Sequence, residues 1–287
     1  MTDALVIRGL CKQYPKFYLN HVTFSVPAGT VMGFVGRNGA GKSTTLKSLM
    51  NLVHPDEGEI LFFGEPFKGN EATIKERVGY ALGEVNFFPR RRIRDVAEVS
   101  KRFYTHFDEA AFTHYLSLFK LTPDKKINEL SAGMKVKLNL AMALSHHADL
   151  LLLDEPTSGL DPVSRDELLE VFLALADEGI SILFSTHITE DIEKCASYLT
   201  YIKEGQIRFT GKTADFTHAY RILTLPENRP ELRESALGIC RNREGQTGLF
   251  PAAFAEGHPE LAFRIPELQE TMVHLEKGVS DNESFAL

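Results

Sequence analysis

The sequence predicts an α/β fold: a mainly parallel sheet around a phosphate loop, joined by an antiparallel β subdomain, an inserted α-helical subdomain and a small α+β C-terminal extension. Three observations predict it. The stretch Gly36-Arg37-Asn38-Gly39-Ala40-Gly41-Lys42-Ser43-Thr44 lies between an apolar run and a helical pattern. Four leucines, Leu150-Leu151-Leu152-Leu153, run into Asp154-Glu155. Between these two, residues from about 84 to 147 carry helical spacing and no strand signal.

Taken in order, Leu5-Val6-Ile7 and Val22–Val26 predict the first strands, the second closed by Pro27-Ala28-Gly29. Val31-Met32-Gly33-Phe34-Val35 predicts a buried strand, and Leu46, Leu49, Met50 and Val53 a helix after the loop. Glu59–Phe63 and Val78–Leu82 read as strands, punctuated by Pro55-Asp56-Glu57-Gly58 and Gly64-Glu65-Pro66. From about Ile93, Val96, Val99 and Phe103 are spaced as one helix face. Phe112, Tyr115, Leu116 and Phe119 form a second, and Val136, Leu140, Ala143 and Leu144 a third.

The leucine run is the pattern of a strand buried on both faces. Asp161-Pro162 supplies an N-cap and first turn for a helix carrying Leu168, Leu169, Phe172 and Leu175. Ile180–Phe184 predicts a strand running into Ser185-Thr186-His187, then a short helix with Ile188, Ile192 and Cys195. Tyr198–Ile202 and Ile207–Thr210 predict a hairpin. The organisation expected is a domain over 1–215 and an extension over 216–287. In the extension, Arg221–Leu225, Thr247–Phe250 and Leu261–Ile265 predict strands and Pro266 starts a helix ended by Gly278. Residues 279–287 are expected to be disordered.

The pattern G-x-x-x-x-G-K-[ST] between a strand and a helix points to phosphate chemistry. Glycines let the backbone turn its N–H groups inward, and the helix start adds positive partial charge. Lys42 is then expected on the β- and γ-phosphates of a nucleotide and the Ser43 hydroxyl on Mg²⁺. An acidic pair at the end of an apolar strand sits at the sheet's carboxyl edge, where such folds bind ligands. Asp154 is expected to hold Mg²⁺ through water and Glu155 to polarise the attacking water. His187, ending a neighbouring strand, is a candidate to bond the γ-phosphate and orient that water.

Bulk properties narrow the partners. Lys plus Arg is 32 and Asp plus Glu 39, a net charge of −7, which argues against a nucleic-acid partner held by a basic face. Cys11, Cys195 and Cys240 are odd in number and widely spaced, read as reduced structural thiols with neither a disulfide framework nor a zinc site. Met1-Thr2-Asp3 opens without a basic and apolar leader, and no run approaches the ~18 apolar residues of a membrane span. Arg90-Arg91-Arg92-Ile93-Arg94 reads as a solvated basic face ahead of a lipid or partner contact, and His146-His147 as a helix end.

These elements together resemble the ATP-binding cassette (ABC) ATPases over residues 1 to about 212. The resemblance rests on Gly36–Thr44, Leu130-Ser131-Ala132-Gly133-Met134-Lys135, Leu150–Glu155, Ser158-Gly159-Leu160-Asp161 and His187, in this order. It implies a phosphate-loop NTPase core that binds ATP and Mg²⁺ along the whole loop, Gly36, Arg37, Asn38, Gly39, Ala40, Gly41, Lys42, Ser43 and Thr44, and hydrolyses ATP. It implies two cassettes meeting head to tail, a homodimer or a heterodimer, with Ser131 and Gly133 reaching the γ-phosphate in trans and Asp161 near the opposite subunit. Tyr14 matches the aromatic that stacks on adenine. The signature loop departs from the family at Ala132 and Met134, and the Q-loop glutamine is replaced by Gly83 or Glu84, of which Glu84 would be the metal ligand.

The function implied is the ATPase subunit of an exporter, on the cytoplasmic face of the membrane through a separate permease. The extension looks like that of bacterial exporter-type cassettes near antibiotic-resistance and bacteriocin-immunity systems, the YtrB-like group among them, and is read as a cover for the core. The alternative is a soluble ABC ATPase acting on ribosomes or DNA. One phosphate loop, no sustained heptads and an acidic charge favour the transporter.

Overall fold

The computed structural model describes residues 3–81, 88–226, 229–242 and 245–278. The chain divides into two compact units, 1–210 and 211–287. The break precedes the boundary expected after residue 215 by five residues.

The first unit starts with a hairpin of β1 (Asp3–Tyr14) and β2 (Phe17–Pro27), followed by β3 (Val31–Val35) and α1 (Lys42–Leu49). Next come β4 (Glu57–Phe62), β5 (Glu65–Pro66), α2 (Glu71–Glu76) and β6 (Val78–Ala81). Strands β2-β1-β4-β5 form an antiparallel sheet. The first two strands extend well beyond their apolar signals because backbone pairing continues through polar positions such as Lys12 and Gln13.

The helical insert holds α3 (Ile93–Ser100), α4 (Glu109–Leu118) and α5 (Ala132–Ser145). Asp108 caps α4 by accepting from the N–H groups of Ala110 and Ala111. The face predicted through Val96, Val99 and Phe103 is corrected: the helix ends at Ser100, Val99 is 42% exposed and Phe103 76%. The chain past this end is drawn elsewhere, as Thr105 donates its N–H and hydroxyl to Glu76. Arg92 and Arg94 both pair with Asp124. His146 ends α5, stacked 3.9 Å from Tyr104.

The core sheet is completed by β7 (Leu150–Asp154), α6 (Pro162–Asp177), β8 (Ser181–Thr186), α7 (Thr189–Cys195), β9 (Tyr198–Lys203) and β10 (Gln206–Lys212). Its order is β10-β9-β3-β8-β7-β6, and β9, β3, β8, β7 and β6 run parallel. Leu150 to Leu153 are at most 1% exposed, each worth about 1.5–3 kcal/mol of burial. That explains a strand without polar alternation. Because β3, β8 and β7 are parallel neighbours, their carboxyl ends and following loops come to one edge. No helix among the described residues is long and apolar enough to cross a membrane.

The second unit contains α8 (Thr213–His218), β11 (Tyr220–Thr224), α9 (Glu231–Ser235), β12 (Gly238–Asn242), β13 (Gly245–Pro251), α10 (Ala252–Glu256) and α11 (Leu268–Lys277). Its antiparallel sheet is ordered β11-β13-β12, over a small core with Leu223, Leu232, Ile239 and Phe250. The strand expected over 261–265 is reduced to one bridge between Ile222 and Arg264. Residues 238–242 take the third place instead. The segment 279–287, expected to be disordered, lies outside the described residues.

Candidate active site

The phosphate loop leaves β3 and enters α1 with the geometry its glycines permit. Gly41 is the N-cap of α1 at φ 115°, a left-handed value that strains any residue with a Cβ. Gly36 approaches Ile202 so closely that an added Cβ would lie 2.3 Å from its carbonyl oxygen. The loop borders a cleft of about 570 Å³ lined by Arg37, Asn38, Gly39, Gly41, Lys42, Ser43 and Thr44 from the loop. Lys16, Phe17, Glu155, Ser158 and His187 complete the lining.

Lys42 is 5% exposed. Its Nζ donates to the carbonyl of Gly36 at 2.6 Å and lies 3.2 Å from Glu155 Oε1. Glu155 Oε2 in turn lies 2.7 Å from His187 Nδ1. Three side chains from three different loops are therefore linked through one carboxylate. Ser43 Oγ donates to Asp154 Oδ1 at 3.1 Å. A hydroxyl and a carboxylate meeting at the cleft are the hard oxygen donors that Mg²⁺ takes, so these residues fit the ion. Tyr80 adds a buried hydroxyl without a hydrogen-bond partner among the described residues. Burial, and then the charge of Asp154, raise its pKa.

Ser185 is the residue that sequence reasoning missed. Parallel pairing sets it opposite Asp154, and its hydroxyl donates to Asp154 Oδ1 at 2.6 Å while accepting the Glu155 N–H at 2.9 Å. One serine thus orients both acids. Glu155 itself sits at φ 51°, the left-handed region that turns the chain sharply off β7 and aims the carboxylate across at Lys42.

Below this turn, Asp191 is fully buried. It accepts hydrogen bonds from the hydroxyls of Thr157 at 2.6 Å and Thr186 at 3.3 Å. Arg165 Nε stands 3.7 Å from its other oxygen. Burial pushes the Asp191 carboxyl pKa up, against the pull of Thr157 and Arg165. The group ties the loop after Glu155 to the strand end before His187. Asp191→Ala is expected to lower stability by about 3 kcal/mol, the cost of breaking a buried charged network. Urea unfolding measures it, and a loss within about 0.5 kcal/mol, the size of an ordinary surface change, would deny the network that role.

The remaining predicted residues fall elsewhere. Tyr14 does not line the cleft. The β1–β2 turn pairs Tyr14 with Phe17, their ring centroids 6.5 Å apart, and Phe17 is the one of the two that lines the cleft. Ser131 caps α5, accepting the Met134 N–H at 3.3 Å, and neither it nor Gly133 lines the cleft. Gly133 lies against Leu160 and Ser164. Asp161 caps α6 through the N–H groups of Val163 and Ser164, and hydrogen bonds from Ser164, side chain first, lower its pKa. Gly83 and Glu84 lie outside the described residues.

Comparison with known proteins agrees with this geometry. A family model described as ABC transporter matches residues 19–158. The chain is 38% identical over 205 residues to the Nod factor export ATP-binding protein I of Burkholderia orbicola (strain AU 1054), across 69% of this chain and 67% of that protein. It is 35% identical over 211 residues to the bacitracin transport ATP-binding protein BcrA of Bacillus licheniformis, across 72% and 69%. A solved structure described as the ATP-binding subunit of an ABC transporter superposes with a TM-score of 0.67 at 27% identity, covering 74% of this chain and 91% of that one. Sequence, parallel sheet and cleft lead to one family: the chain belongs to the ABC transporters, as an ATP-binding and ATP-hydrolysing cassette.

Proposed function

We propose that the cassette drives an export-type transporter from the cytoplasmic face of the membrane, held there by a separate permease and working as a head-to-tail pair. The observation that carries the chemistry is the Glu155 carboxylate, 3.2 Å from Lys42 Nζ and 2.7 Å from His187 Nδ1 at the mouth of the cleft. Glu155 accepts the proton of the attacking water, with His187 fixing its direction. Lys42 and the first N–H groups of α1 offset phosphate charge. Ser43 and Asp154 would hold Mg²⁺, which would supply positive charge to neutralise the phosphate oxygens. Tyr14 stacks on the base, with Phe17 beside it at the cleft.

The pairing is supported by the signature residues. Ser131 is exposed at the start of α5 and outside its own chain's cleft, so it is available to a second cassette's phosphate, together with Gly133. Asp161, in the adjoining loop, lies on the same side of that argument. For the permease, Phe88, Val99 and Phe103 leave large apolar side chains exposed on or beside the helical insert, a surface suited to another protein. Export is supported by the names of the relatives, one for Nod factor export.

The test is an affinity pull-down of the tagged chain from detergent-solubilised cells, identifying co-purifying chains by mass. A stoichiometric multi-helix membrane protein is expected. A ribosomal or DNA-bound partner without one would replace the transporter reading by the soluble alternative.

A further inference from the structure

A second set of chemistry-bearing side chains lies in the antiparallel sheet. Cys11 on β1, His21 on β2 and Glu57 at the start of β4 each offer one ligand atom, and these atoms lie within 4.8 Å of one another. None of the three lines the nucleotide cleft. They are 10 and 36 residues from one another along the chain, which is why no local metal motif is visible in the sequence. The sheet supplies the proximity: β1 runs between β2 and β4, and Cys11 is in register with Glu57.

The backbone is irregular at this spot and nowhere else along the pairing of β1 with β4. Register shifts fall between Arg8 and Cys11 on that side, and on both sides of Leu10 against β2. Leu10 belongs to the apolar core. Neighbouring residues of a strand face opposite ways, so Cys11 turns to the other face of the sheet. It is nevertheless only 2% exposed, and its surroundings there are polar. The His21 N–H approaches Sγ at 3.3 Å, and Sγ donates to the Gly9 carbonyl at 3.5 Å.

His21 holds a φ of 49°, a left-handed value that histidine tolerates better than most residues. Its Nδ1 lies 2.6 Å from Asn20 Oδ1. That acceptor holds the proton on Nδ1 and leaves the lone pair on Nε2, the arrangement by which an outer partner prepares a metal-binding imidazole. A thiol, an imidazole and a carboxylate form a donor set that suits zinc and its chemical relatives and is too soft for Mg²⁺ or Ca²⁺.

We propose that Cys11, His21 and Glu57 bind a zinc-class divalent ion, with water completing a four-coordinate shell. Binding forms bonds from sulfur, nitrogen and oxygen to the ion and releases the thiol proton to solvent; nothing is oxidised or reduced. Three strands are then joined through one ion. Two of them, β1 and β2, frame the turn that carries Lys16 and Phe17 into the nucleotide cleft, so the ion holds that turn in place.

The experiment uses the full-length chain, stripped with chelator and titrated with Co²⁺ alone. At one equivalent, a sulfur-to-cobalt charge-transfer band and the visible bands of a four-coordinate site are expected, both lost on adding Zn²⁺. Cys11→Ser removes the sulfur band. His21→Asn keeps a residue at ease with the left-handed backbone, and Glu57→Gln keeps the shape of the side chain; each weakens Co²⁺ binding by about tenfold or more. Circular dichroism checks that the variants fold, and should Cys11→Ser not fold, the other two decide. The site is refuted by the lack of a sulfur band at one equivalent or by a band that survives in Cys11→Ser. It is equally refuted if His21→Asn and Glu57→Gln bind Co²⁺ like the parent.

Discussion

Replacing Glu155 by Gln is expected to leave ATP binding intact and to lower turnover by about 100-fold or more, the scale of general-base catalysis. A 100-fold loss corresponds to about 2.7 kcal/mol of transition-state stabilisation. The amide keeps the length of the side chain and a polar contact for His187 Nδ1, now 2.7 Å from Oε2, but it no longer accepts a proton from water. Lys42 loses an ion pair at 3.2 Å while keeping the Gly36 carbonyl at 2.6 Å. Phosphate release under saturating ATP, beside nucleotide affinity by fluorescence titration, separates the two effects. Near-normal turnover with unchanged affinity would take the base role away from Glu155.

Lys42→Ala acts on the other quantity. Its ammonium group is buried at the loop, and among the described residues lining the cleft the other Lys and Arg side chains are Lys16 and Arg37. Removing one member of a buried charge pair costs about 2 kcal/mol or more, which is about a 30-fold loss of nucleotide affinity. The change also leaves Glu155 beside the phosphates without its cation, adding repulsion in the same direction. Calorimetric titration with a non-hydrolysable ATP analogue reads the effect, and thermal unfolding confirms that the variant is folded. Affinity equal to that of the parent chain would place Lys42 outside phosphate recognition.

Local strings were the readable part of this protein. Gly36–Thr44 and Leu150–Glu155 carry their geometry in contiguous residues, because a helix start and a buried strand are both dictated by near neighbours. What depends on register was not readable. Ser185 is one serine after Ile182, Leu183 and Phe184, and only the pairing of β7 with β8 brings it to Asp154. That Phe17 lines the cleft beside Tyr14 depends on the β1–β2 turn. In the extension, the apolar pattern pointed to 261–265, yet it is 238–242 that pairs with β13, over residues 245–249. Cys11, His21 and Glu57 illustrate the same limit: each looks ordinary until three strands align.

Glu155 sits on a backbone that disfavours it. A side chain in the left-handed region costs about 1–2 kcal/mol relative to a relaxed one, and glycine would carry no such burden. Fold stability and hydrolysis therefore pull this position in opposite directions. A lineage in which hydrolysis no longer mattered would drift toward Gly or Asn here and gain a sturdier cassette that still bound nucleotide. A glutamate at φ 51° thus carries backbone strain at the very position proposed to activate water, a cost written in a torsion angle rather than in a contact.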